Sequence, residues 1–287
     1  MKAVFTCLVF ALISSQNISA NIEVHGHRGA RAIYPENTLV GFQYALNSGA
    51  DALELDVVVT KDDVLIVAHD VFVNKKICKT SLKGKNILFR SLTLQEVKNI
   101  DCGSIQSSKF PNQRLVPGEK IPTLEEFFKF VQKSSSDLGK VIKVNLEAKM
   151  KPSDAPNKIS PVAFSRLILN MIQKYEMNDK VIIQSFNIET LKEIRRQDSA
   201  IEISVLTKKG KRHFLSLCQE VDCQYISPRF KRINKKIVSD LKLRGIRVIP
   251  WTPNKVSHWK KVIEMGVHAI ITDDPEGLIK YLKQTGY

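Results

Sequence analysis

Apolar residues along this chain fall into short runs, and between the runs they recur every three or four positions. The runs Ile22–His27, Ala52–Val59, Val141–Leu146, Lys180–Gln184, Glu202–Leu206, Gln224–Ile226, Ile246–Pro250 and His268–Ile271 predict strands. The segments Glu36–Asn47, Thr123–Lys133, Pro161–Tyr175, Ile188–Arg195, Arg212–Cys218, Lys235–Arg244, Lys255–Met265 and Pro275–Lys283 carry the helical period. A doubly wound open sheet would show the same alternation. However, no Gly-x-Gly-x-x-Gly turn follows the first strand, and polar residues gather at the C-terminal ends of many strands. The pattern therefore predicts an α/β protein, a (β/α)8 TIM barrel, with its site at that end of the strands.

The alternation breaks once, between Asp70 and Pro122, where glycines and prolines accompany one short helical pattern, Thr93–Ile100. This predicts a small insertion after the second strand, about residues 71–121, that leaves the barrel at the site end and walls the pocket. The first twenty residues also stand apart: Lys2, an apolar run from Ala3 to Ile13, then a polar stretch ending Ile-Ser-Ala at Ala20. That is the layout of a signal peptide over residues 1–20, too short an apolar run to span a bilayer, and it predicts a secreted or periplasmic protein with one barrel domain over residues 21–287.

Composition changes the picture in two places. Beyond Cys7, inside the leader, lie Cys78, Cys102, Cys218 and Cys223. In an exported chain they permit two disulfides, most simply Cys78 with Cys102 and Cys218 with Cys223, although three pairings, or four free thiols, satisfy the sequence equally. The formal net charge of +15 on 287 residues favours anionic partners. The basic clusters Lys208–Arg212 and Lys231–Lys236 are not interleaved with aromatics in sequence, so they read as solvated surface and not as a nucleic-acid groove.

The chemistry concentrates between His25 and Asp70. Side chains alternate across a strand, so Glu54 and Asp56 share one face and point into the barrel, while Leu55 and Val57 face the helices. Two carboxylates side by side repel unless a cation neutralises them. The next barrel strand repeats the device with Asn145, Glu147 and Lys149. Glu54, Asp56 and Glu147 are thus metal-ligand candidates, an oxygen set suited to one Ca2+ or Mg2+, and no cysteine cluster or His-Glu-x-x-His suggests zinc. His27 closes the first strand and His69 follows the Asp62-Asp63 turn, which makes them an acid/base pair at one mouth. Arg28 beside Gly29 offers a guanidinium fork to a phosphoryl group. Glu36-Asn37-Thr38 reads as a helix opening, and His25 as a structural residue beneath His27.

These residues carry a resemblance. His27-Arg28-Gly29, Pro35-Glu36-Asn37-Thr38, Gly49-Ala50-Asp51, Glu54-Leu55-Asp56-Val57, Thr60-Lys61-Asp62 and His69-Asp70 are similar to the signature of the glycerophosphodiester phosphodiesterase family. Pro122-Thr123-Leu124-Glu125, Asn145-Leu146-Glu147-Ala148-Lys149, Ser185-Phe186, Trp251-Thr252 and Thr272-Asp273-Asp274-Pro275 resemble its later blocks, in order. Asp63 stands where the family's motif usually has glycine, in the turn before His69. The resemblance implies metal-dependent hydrolysis of a small glycerophosphodiester to glycerol 3-phosphate and an alcohol. By the same likeness Lys149 sits against the phosphate and Trp251 lines the pocket. Lysophospholipid hydrolysis of the lysophospholipase D type is the near alternative, given an apolar entrance from Phe72, Phe110 or Phe230. A secreted phosphate-binding module without catalysis is the alternative from another class.

Overall fold

A computed structural model describes residues 22–150, 159–208 and 214–287. The leader, residues 151–158, and the stretch that includes Arg212 and His213 lie outside the described residues. The elements run β1 (Glu23–His27), α1 (Leu39–Asn47), β2 (Ala52–Val59), β3 (Leu65–Val67), α2 (Leu94–Val97), α3 (Leu124–Leu138), β4 (Lys143–Ala148), α4 (Pro161–Lys174) and β5 (Val181–Ser185). They continue α5 (Ile188–Gln197), β6 (Glu202–Thr207), α6 (Phe214–Val221), β7 (Tyr225–Pro228), α7 (Lys235–Lys242), β8 (Arg247–Val248), α8 (Val256–Ile263), β9 (Ala269–Thr272) and α9 (Pro275–Thr285).

The parallel strands follow the order β8-β7-β6-β5-β4-β2-β1-β9. The two ends meet through His268 N donating to Val248 O at 3.0 Å, Ile271 N donating to Pro250 O at 3.1 Å and a parallel bridge between Trp251 and Ile271. This is the predicted (β/α)8 barrel. Among the described residues, the one strand outside its wall is β3, which turns back antiparallel on β2 and makes the hairpin that delivers His69 to the mouth.

All eight positions of β2 are buried, because the barrel interior covers one face and the helices the other. Leu53, Leu55 and Val57 pack outward into the main core with Phe42, Phe127 and Phe128. The Phe42 and Phe127 rings meet edge to face at 4.8 Å. Helix α3 starts at a capping box, Thr123 accepting from Glu126 N while Glu126 accepts from Thr123 N at 2.7 Å, and stops at Gly139 in the left-handed region. The predicted first helix began at Glu36, but it starts at Leu39. Asn37 has φ +57°, which a helix cannot include, and Thr38 is the cap that accepts from Gly41 N.

Between β3 and α3 the chain builds its own small core from residues such as Val73, Phe89, Val97, Ile100 and Ile121. The Cys78–Cys102 disulfide lies within it, and Cys218 is bonded to Cys223 at the end of α6, so both of the simplest pairings are present. Gln113 ties this segment to the barrel by donating to the carbonyl oxygens of Arg31 and Tyr34, both at 2.8 Å.

Candidate active site

Strand register decides which side chains meet. Asp56 of β2 pairs with Glu147 of β4, and His27 of β1 pairs with Glu54 of β2. Adjacent strands lie about 4.8 Å apart, so inward residues at paired positions become neighbours. The ligand oxygens of Glu54, Asp56 and Glu147 accordingly lie within 4.8 Å of one another, all three buried.

Polar partners fix each carboxylate. The Arg28 backbone, at φ +52°, donates its N–H to Glu54 Oε2 at 3.0 Å, while its Nε lies 3.1 Å from Asp56 Oδ2 and its Nη1 2.7 Å from Glu36 Oε1. Gly29 must be glycine here: at φ +88° a Cβ would come within 2.7 Å of the Gly41 backbone. Asn37 donates to Asp56 Oδ2 at 3.0 Å, and Gln184 to Glu54 Oε1 at 2.9 Å. Lys149 Nζ stands 2.8 Å from Glu147 Oε1 and 3.6 Å from Asp56 Oδ1. Glu36 and Asn37, read in sequence as helix openers, thus hold Arg28 and Asp56 in place.

Five carboxylates, those of Glu36, Glu54, Asp56, Glu147 and Asp273, are linked through three fixed cations, Arg28, Arg31 and Lys149. The cluster is short of positive charge. Burial pushes Glu54 up, well above the usual carboxylate range, and the adjacent charges of Asp56 and Glu147 push it further. Burial also raises Glu147, and with the adjacent charge of Asp56 it outweighs the downward pull of Lys149. At Asp56 burial acts upward too, but Arg28, His69 and Lys149 prevail and hold it well below that range. Asp56 Oδ1 and Gln184 Oε1 are buried without a hydrogen-bond donor. An all-oxygen donor set with excess negative charge and unused lone pairs fits a hard divalent cation.

His27 sits beside this cluster, its Nε2 3.9 Å from Glu54 Oε2 and its Nδ1 2.5 Å from Asp273 Oδ1. Asp273 also accepts from Arg31 Nε at 2.6 Å and from Asn254 at 2.5 Å. Burial and the nearby Arg31 charge hold His27 down at about 4 against the opposing pull of Asp273, so the ring is neutral near pH 7. Because the Asp273 carboxylate can only accept, the ring proton belongs on Nδ1 and Nε2 keeps its lone pair. Across the mouth, His69 Nδ1 lies 3.1 Å from Asp70 Oδ1, and Asp70 in turn accepts from Asn74 at 2.9 Å.

These groups open into one cavity of about 550 Å3. His27, Arg28, Glu54, His69, Glu147, Lys149 and Trp251, all flagged by sequence, line it, while Asp56 lies beneath, fully buried. Sequence did not single out Arg31 or Gln184, read Glu36 and Asn37 as helix openers, and gave Asp273 no role beyond its place in a family block. Asp273 follows the last barrel strand, and that position was the signal that could have found it. Of the suggested apolar entrance, Phe72, Phe110 and Phe230 do not line the cavity. Phe72 borders a smaller one beside Cys78, Phe110 lies under Arg31 and Phe230 is buried against His258. The apolar wall comes instead from Val71, Met150, Phe186, Leu206, Trp251 and Ile271.

A parallel barrel with a carboxylate cluster, two histidines and fixed cations at the C-terminal strand ends is suited to metal-assisted acid/base chemistry on an anionic substrate, and comparison with known proteins narrows the class. The glycerophosphoryl diester phosphodiesterase family pattern matches residues 27–277. A glycerophosphodiester phosphodiesterase of Caldanaerobacter subterraneus is 31% identical over 263 residues, covering 92% of this chain and 98% of its own. A solved structure from Silicibacter pomeroyi assigned to the same family is 26% identical, covers 92% of this chain and 94% of its own, and superposes with a TM-score of 0.83. An Oleispira antarctica phosphodiesterase, solved with its product sn-glycerol-3-phosphate, shares the fold at TM-score 0.76 and 21% identity, covering 91% of this chain and 96% of its own. The chain belongs to the glycerophosphoryl diester phosphodiesterase family, enzymes that hydrolyse glycerophosphodiesters, which sets aside the reading as a noncatalytic binding module.

Proposed function

We propose that this protein hydrolyses glycerophosphodiesters to glycerol 3-phosphate and an alcohol, with His27 and His69 exchanging protons and a divalent cation, Ca2+ or Mg2+, held by Glu54, Asp56 and Glu147. The carrying observation is the convergence of three buried carboxylates, two histidines, Arg28 and Lys149 on one cavity. The product found in the Oleispira phosphodiesterase supports the same outcome here. When bound, the cation supplies charge stabilisation to a phosphoryl group that becomes more negative as attack proceeds. Arg28 and Lys149 hold the phosphate against the cluster by charge-assisted hydrogen bonds, with Trp251 beside the alcohol portion. The lone pair of His27 Nε2 takes the proton of the attacking oxygen. His69, held at Nδ1 by Asp70, gives a proton from Nε2 to the leaving oxygen.

The test is release of glycerol 3-phosphate from glycerophosphocholine with and without chelator, in wild type and in His27→Ala and His69→Ala. Chelation and either substitution are expected to cut turnover by about 100-fold or more with the fold intact. Full activity in both variants would overturn the proposal. The apolar wall from Val71 to Ile271 favours lysophospholipids as a second substrate class, and lysophosphatidylcholine belongs in the same panel. For localisation we propose export by the leader ending at Ala20, to the periplasm or the medium. Two disulfides in the mature chain support it, and N-terminal sequencing of the exported protein tests it.

A further inference from the structure

Several basic side chains of this protein have acidic partners. Lys143 pairs with Glu23, Lys192 with Glu220, Arg247 with Glu202 and Lys280 with Glu276. One sector gathers basic side chains that lack such partners at the end of the barrel that carries the cavity. Lys231, Lys255 and Lys261 are exposed and make no ion pair among the described residues. Burial, and then the charges of all three, push the His258 imidazole down.

The position of this sector gives it meaning. Lys231 lies in the short turn after β7, and Lys255 is the residue before α8, which follows β8, so both belong to the C-terminal face of the barrel, where the cavity opens. The link to the cavity is continuous. Lys208 Nζ stands 5.2 Å from the Phe186 ring centroid, and Phe186 meets Trp251 edge to face at 5.8 Å. The Trp251 carbonyl accepts from Phe230 N at 2.9 Å, and the Phe230 ring carries Lys231 at 5.9 Å and His258 at 4.7 Å. Folding thus sets the Phe186 ring beside Lys208, while Phe230, adjacent to Lys231 in sequence, links Lys231 to His258. Two apolar side chains project from the same face, Phe186 at 40% and Val256 at 55% exposure. Lysines interleaved with exposed aromatic and aliphatic groups are what the interface of a bilayer accommodates, ammonium groups among the head groups and apolar tips below them.

We propose that the β6–β8 sector of the catalytic face docks on an anionic lipid bilayer, so that the cavity opens toward the membrane surface. Charge complementarity selects this occupant. The sector is cationic, unpaired and carries exposed apolar tips, which a bilayer can bury and the grooves of a duplex cannot. The inference concerns where the enzyme works and does not depend on which diester it cleaves.

The experiment is co-sedimentation of the mature protein with phosphatidylcholine vesicles, with or without about 30% phosphatidylglycerol, at about 0.15 M salt. Binding to the anionic vesicles only is expected, weakened by high salt. The triple variant Lys231→Glu, Lys255→Glu, Lys261→Glu should lose at least about tenfold in vesicle affinity, each lysine near an anionic surface being worth about 1 kcal/mol. Its turnover of soluble glycerophosphocholine should stay within about twofold, which also certifies its fold. Orientation is read separately: Val256→Trp should be quenched by nitroxide-labelled lipid in anionic vesicles. Leu243→Trp, 84% exposed beyond the far end of α7, should not. Equal binding to neutral vesicles, no binding to anionic ones, an unaffected triple variant, quenching at position 243 instead of 256, or tighter binding to a duplex oligonucleotide than to vesicles would each overturn the proposal.

Discussion

His27 was legible in the sequence because a histidine at the end of a strand of this pattern is exceptional. What positions it was not, because Asp273 is 246 residues away and meets it only when β9 closes on β1. The same holds for Gln184, which reaches Glu54 across the barrel interior over a separation of 130 residues. The chemistry-bearing residues are thus readable one by one, whereas the hydrogen bonds that orient them depend on closure of the barrel. Asp273 gives this a measurable form. In Asp273→Asn the amide can donate as well as accept, so His27 loses the partner that places its proton on Nδ1, and Arg31 loses a charge-assisted bond. Turnover is expected to fall by about 100-fold or more while KM for glycerophosphocholine changes little, since in the proposed reaction Arg28 and Lys149 hold the phosphate. A positioning role also predicts an altered pH profile of kcat, which a merely loosened fold would not produce. An unchanged profile with full activity would show that His27 needs no orienting carboxylate.

At the scale of elements, the eight barrel strands were predictable because buried parallel strands are apolar runs with few exceptions, and the buried charged exceptions Glu54, Asp56 and Glu147 are those that meet in the site. Boundaries drift where a side chain is called away from the helix, as at Glu36 and Asn37. The segment between β3 and α3 defied periodicity because its stability comes from a small core and a cross-link instead of from regular structure. The Cys78–Cys102 bridge closes a sequence separation of 24 residues, and cross-linking a loop of this size restricts the unfolded chain by about 3 kcal/mol. Double replacement by serine should lower unfolding free energy by about that amount in denaturant titration. It should also reduce turnover, because Asn74, four residues before Cys78, holds Asp70, the partner of His69. Replacing Cys218 and Cys223, separated by only five residues at the far side of the barrel, should cost less stability and leave turnover intact. If the two pairs behave alike in both measurements, the first bridge does not brace the mouth.

For the molecule as a whole, the barrel places more negative charge in its interior than its own cations balance. The chain tolerates this because Glu54, Asp56 and Glu147 sit on adjacent parallel strands whose opposite faces pack into the main core, and that burial supplies the stability that the cluster costs. The consequence is a linkage between cation and fold. A ligand that binds only the folded protein stabilises it by about 2.7 kcal/mol at 100 times its dissociation constant. For a domain of this length, that is a rise in melting temperature of about 5–10 °C. Chelated wild type should therefore melt lower than protein in excess Mg2+ or Ca2+, the better-fitting ion giving the larger rise. Glu54→Gln makes the sign decisive. The amide keeps the shape, its oxygen can still accept from Arg28 N–H, its NH2 can donate to the unused Gln184 oxygen once that amide turns, and one buried charge is removed, so the chelated variant should melt at or above chelated wild type while its response to the cation collapses. Were the cluster merely an internal salt-bridge lock with Arg28 and Lys149, Glu54→Gln would lower the melting temperature in chelator and added cation would shift neither protein. Calorimetry of the two proteins, each with and without divalent cation, separates these cases without reference to turnover.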